Sequence, residues 1–198
     1  MLLKNNKNVG VVSISSIISV IFLHSNKKFI VGILMSFMAG CASASMQELN
    51  KLTDANIAAI VVGANNIDIS AGNIALKQSS NKEIRTFAKT MIDDHSAVLA
   101  LAVDLVTELG VTPINNELVE ILSKQSIEHE KVLKSLTGRA FDKSYIDHEV
   151  IYHQTVIGVI ENQLIPGAKN IKLKELLISV LPAFRAHLKH CQMIQSKI

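Results

Sequence analysis

The chain has 198 residues, about one domain's worth, of which 48% are apolar, 4% aromatic and none tryptophan. That profile argues against an aromatic-cored β-sandwich and for a helical bundle. The net charge of +3 comes from the start of the chain: residues 1–40 hold Lys4, Lys7, Lys27 and Lys28 and no acid, and beyond them 16 basic residues face 17 acidic ones. The main body therefore lacks the basic footprint that nucleic-acid binding needs.

Lys27-Lys28 precede the apolar run 29–40, which ends in small residues before Cys41. A basic segment, a short apolar core and a small-residue cleavage site make a secretory leader, and the run is too short for a comfortable membrane span. Met38-Ala39-Gly40-Cys41 resembles a bacterial lipobox. The expectation is cleavage before Cys41, lipidation of its thiol and anchoring to a membrane. Ala42, rather than Asp, implies an outer-membrane lipoprotein facing the periplasm. Cleavage after Ala44 is the alternative and would leave a periplasmic or secreted protein. Val9 to Leu23 is a second apolar run, read as an over-extended start or a long basic region ahead of the leader. The expected organisation is a leader over 1–40 (1–26 belonging to the extended start), a lipidated tether over 41–52 and a helical domain over 53–197.

Thr53 caps the first expected helix, about 53–79, with Asp54 in its first turn. Ile57, Ile60, Val61, Ala64, Asp68, Ala71, Ala75 and Leu76 recur there at helical spacing. Ser80 with Glu83 reads as a capping box opening a second helix, about 81–109. Its inner face runs from Ile84, Phe87 and Met91 through His95 to Leu109; Asp93 and Asp94 fall at or beyond its edge, and Gly110 stops it. A third helix spans about 116–136, with Leu118, Ile121, Leu122, Ile127, Val132 and Leu133 inward and Glu128-His129-Glu130 on a solvated face. Asp142 is expected to cap a fourth helix, about 142–165, with Phe141 as its hydrophobic staple. Ile146, Glu149, Val150, His153 and Val156 face inward, His148 outward, and Pro166-Gly167 makes the turn. The last helix, about 170–196, carries Leu173, Leu177, Phe184, His187 and Cys191 inward, with a kink expected at Pro182.

Phe87 to His95, Leu136 to Tyr145, Val150 to His153 and Leu181 to Leu188 occur in order and together span nearly the whole helical region. These segments resemble the domain of unknown function 4142 family. The resemblance implies a ferritin-like all-α four-helix bundle, with the 116–136 helix as an added crossover, in an outer-membrane protein. It also places acids near the middle of the first helix; Asp68 matches one such position, and Ser70 stands at another.

Asp68, His95, His153 and His187 lie in the apolar stripes of four different helices at compatible depths. Bundle cores are where such residues build metal sites, and three imidazoles with a carboxylate suit Zn, Fe, Mn or Cu. Glu149, Met91 and Cys191 are additional inward donors, and the two sulfurs favour copper. The rival reading is a purely structural polar layer in a non-enzymatic envelope protein. The Glu-x-x-His pairs of di-iron bundles are absent from the chain, and no phosphate loop or nucleophile elbow is present. No catalytic residue and no protein partner is identified.

Overall fold

A computed structural model describes residues 52–198. The leader, the Cys41 lipidation site and nearly all of the tether lie outside them. Five helices and no strand occur among the described residues: α1 (Asp54–Gln78), α2 (Lys82–Glu108), α3 (Glu117–Ser135), α4 (Gly138–Val159) and α5 (Ile171–Gln195). After α4 the chain continues through a π-helical turn, Ile160–Leu164, into one last turn, Ile165–Gly167. The result is an all-α bundle in which α1 packs along α2 and α4 along α5. The two hairpins meet through α2 with α5 and α1 with α4, and α3 crosses over against α1.

The helix ends have local causes. The Thr53 hydroxyl accepts from the Asn56 amide while Asn56 reaches back, a capping box. Asn116 and Asn170 cap α3 and α5 with their side-chain oxygens. Gly110 adopts φ 62°; its N–H bonds the Thr107 carbonyl and that of Val111 bonds Val106, a Schellman stop that an L side chain would strain. Asp54 does more than favour a first turn: its two oxygens accept from the Lys169 and Asn170 amides, tying the α4–α5 connection to the start of α1.

Several boundaries differ from the sequence reading. The cap of α2 is Asn81, which accepts from the Glu83 and Ile84 amides, rather than Ser80. α4 begins at Gly138, four residues before Asp142. Asp142 is no cap: it is buried one turn inside the helix and accepts the Ser79 hydroxyl at 2.5 Å. The turn expected at Pro166-Gly167 comes later, because the π-turn absorbs a residue and helix persists to Gly167. Pro182 lies inside α5, as the sequence placed it. On α3 the inner face is rotated: Val119 and Leu133 are buried, whereas Ile127 and Val132 are exposed. His148 is half-buried rather than outward, its ring stacked on that of His129 at 3.7 Å, so His129 is not on a solvated face either.

Two apolar clusters fill the bundle. One gathers Ile57, Ile60, Val156, Leu164, Leu177 and Phe184 around the α1 start. The other gathers Phe87, Met91, Leu133, Phe141, Tyr145 and Cys191 toward the opposite end. Between them, along each of the four helices other than α3, comes a polar position: Asp68 on α1, His95 on α2, Glu149 and His153 on α4, His187 on α5, all buried. α1 has the length and hydropathy of a membrane span, yet it carries Asn65 and Asp68 into this layer and lies mostly inside the bundle. Close approach of α1 and α2 rests on Gly72, where a Cβ would stand 2.9 Å from the Ile92 side chain and 3.1 Å from the Ala88 carbonyl oxygen.

Candidate metal centre

The three inward histidines form a near-equilateral triangle. Ring centroids lie 5.7 Å apart for His95 and His153, 5.4 Å for His95 and His187, and 5.5 Å for His153 and His187. Phe184 packs on one side, 5.0 Å from His95. One ring nitrogen from each histidine lies within 4.8 Å of the others. The carboxylates of Asp68 and Glu149 with His153 form a second group of the same tightness, sharing that histidine with the first.

Each imidazole is oriented from outside the triangle. His153 Nδ1–H donates to the Glu149 carbonyl oxygen at 3.0 Å. His187 Nε2–H donates to Asp94 Oδ2 at 2.8 Å. His95 Nδ1 faces Asn65 Oδ1 at 2.9 Å, and Asn65 is itself held the right way round because its amide donates to the Val61 carbonyl at 2.8 Å. These bonds assign the tautomers and leave His95 Nε2, His153 Nε2 and His187 Nδ1 as lone-pair nitrogens. All three are buried and have no hydrogen-bond partner. An outer acceptor that fixes each imidazole is the arrangement found around metal-ligating histidines.

The carboxylates sharpen the point. Both oxygens of Asp68 and both of Glu149 are buried, and no donor outside this pair reaches them. His95 Nε2, an acceptor by the assignment above, stands only 3.4 Å from Asp68 Oδ2. Acceptors so close need a positive centre between them, either a proton or a metal ion. Without a metal they hold protons: burial, partly offset by a hydrogen bond with Glu149, raises Asp68 to about 7, and burial with the neighbouring Asp68 charge pushes Glu149 well above the carboxylate range. Burial, with His153 and His187 beside it, takes His95 down to about 2; burial takes His153 to about 4. His95 and His153 are thus neutral, the form that binds metal, and a cation among them would reverse the logic that keeps the carboxyls protonated.

Of the residues singled out in the sequence, Asp68, His95, Glu149, His153 and His187 come together. Cys191 stands apart: its thiol donates to the Leu188 carbonyl of its own helix, and burial and Glu149 push it up to about 12. Met91 packs in the apolar cluster with Phe87 and Tyr145. Ser70 turns the other way and donates to Glu130 on α3. Two participants were missed. Asn65 lies one turn before Asp68 on the same stripe, a position that marks it as inward. Asp94 sits at the stripe's edge, 49% exposed, and only the approach of α5 turns its carboxylate onto His187.

The family profile described as "Domain of unknown function (DUF4142)" matches residues 39–194. A solved structure titled "CopM in the Cu(II)-bound form" shares the fold, with a TM-score of 0.57 at 15% identity, covering 74% of this chain and 98% of that one. No curated protein matches the sequence significantly.

Proposed function

This chain belongs to the domain of unknown function 4142 family, and from that premise we propose that it is a metal-binding protein of the bacterial envelope. One transition-metal ion is held in the bundle core by His95, His153 and His187, with Asp68 and Glu149 as the oxygen side of the site. The observation that carries this reading is the cluster of three buried, oriented imidazoles, each with one unpaired ring nitrogen. A purely structural polar layer pairs its buried atoms; here three ring nitrogens have no partner, and the Asp68 and Glu149 carboxyls have only each other. The ring nitrogens, within 4.8 Å of one another, would draw together onto a small ion, since nitrogen ligands of a tetrahedral metal at ~2.0–2.1 Å stand roughly 3.3 Å apart.

Copper is the first ion to test. Nitrogen and oxygen donors bind Cu(II) most tightly among the divalent first-row metals, and the solved protein of like fold is in a Cu(II)-bound form. Zinc, iron and manganese are the alternatives. The protein is read as a binder with no reaction assigned to it. Elemental analysis of the chain, purified in detergent without an affinity tag from metal-replete cells, is expected to give near-stoichiometric metal. Absence of metal, with no rise in melting temperature on adding Cu, Zn, Mn or Fe, would leave the structural polar core as the reading.

The location rests on Met38-Ala39-Gly40-Cys41: the proposed anchor is lipid on Cys41, holding the bundle at the outer membrane on the periplasmic side. A Cys41→Ser chain is expected to move from the membrane fraction to the soluble periplasmic fraction. A chain still sedimenting with membranes would remove the lipid anchor from the proposal.

A further inference from the structure

We infer that the apolar half of the core beside the imidazole layer is a binding site for a small uncharged apolar molecule, of the size and chemistry of dioxygen. A cavity of about 30 Å³ lies there, walled by Ile60, Val61, Val98, Leu177, Val180 and their neighbours. It exceeds the roughly 10–15 Å³ that one water needs, but a bound water also needs two to four polar partners. The lining offers almost none. Its two polar side chains are Asn65 and Thr155. Both amide groups of Asn65 are engaged, with Val61 and His95, and the Thr155 hydroxyl donates to the Ile151 carbonyl. The cavity is therefore dry, and dry apolar cavities take up apolar guests.

The backbone builds the same place. The π-turn at Ile160–Leu164 sits on this wall, and Ile160 and Leu164 both face the cavity. π-turns of this kind concentrate at functional sites. The guest's neighbours are also the metal centre's neighbours. Asn65 lines the cavity and orients His95, and Phe184 lines it and packs on His95 at 5.0 Å. A guest here would stand one side chain away from the imidazole triangle. The cavity itself does not depend on the metal reading and is tested without metal.

The test uses ¹³C-methyl spectra of the metal-free protein under xenon, and separately under dioxygen. Expected are saturable xenon shifts and dioxygen-induced relaxation at the Ile60, Val98, Leu177 and Val180 methyls, with little change at Leu133, Ile146 and Ile194 in the other cluster. Val180→Phe should abolish both effects while melting normally; if that variant fails to fold, Val156→Leu and Val180→Leu, one methylene each, should weaken them. Unsaturable effects, effects spread evenly over the two clusters, or a long-lived water seen at these methyls would overturn the assignment.

Discussion

A His153→Leu chain is expected to lose the proposed metal and keep its fold. Metal affinity is expected to fall by more than about 100-fold, since loss of an outer-shell partner alone typically costs about 10–100-fold. The metal-free variant is expected to be as stable as the parent, within about 1 kcal/mol, or more stable. His153 is fully buried with an unpaired Nε2, and an unpaired buried polar group costs about 1–3 kcal/mol that leucine does not carry. The hydrogen bond lost is to the carbonyl of Glu149 in the same helix, four residues back. His95→Leu is the less clean experiment, because it strands Asn65 Oδ1 in the core. His187→Leu is milder, because it returns the half-exposed Asp94 to solvent. Metal content by elemental analysis and urea denaturation of the metal-free chains decide the matter. Metal retained by the His153 variant, or an apo-protein weakened by several kcal/mol, would instead mark the histidine as a structural member of the core.

Phe87→Ala should be the most damaging single truncation in the opposite half of the bundle, lowering stability by about 3–5 kcal/mol. Small domains have only about 5–15 kcal/mol in all. Phe87 is fully buried, meeting Tyr145 edge-on at 6.1 Å and His190 at 5.2 Å. The space it leaves is bounded by other fully buried side chains, among them Met91, Leu133 and Phe141, so collapse into it is limited. The matched control is Ile127→Ala. Spacing along α3 places Ile127 inside, but it is 56% exposed and its removal should change stability by no more than about 0.5 kcal/mol. A Phe87 variant within about 1.5 kcal/mol of the parent would mean that this cluster repacks around the void.

What the residues themselves determine about this protein is local. Helix number follows from periodicity, the starts at Thr53, Asn116 and Asn170 follow from side chains that bond the nearest free backbone groups, and the stop at Gly110 from a backbone conformation that glycine adopts freely. Asp68, His95, Glu149, His153 and His187 are legible as inward because 3.6 residues per turn report the face a residue shares with its apolar neighbours. Periodicity is silent about the rotation and axial offset of one helix against another, which packing sets. That is why Asp142 moved from a cap to a buried partner of Ser79, and why the inner face of α3 turned Ile127 out and His129 onto His148. The same packing brought Asn65 and Asp94 to the outer nitrogens of His95 and His187, left Cys191 bonded to its own helix, and opened a dry cavity beside a π-turn. Apart from the bond of Cys191 within its own helix, these are relations between helices far apart in sequence, decided only when the four long helices meet and bury the polar layer between two apolar halves.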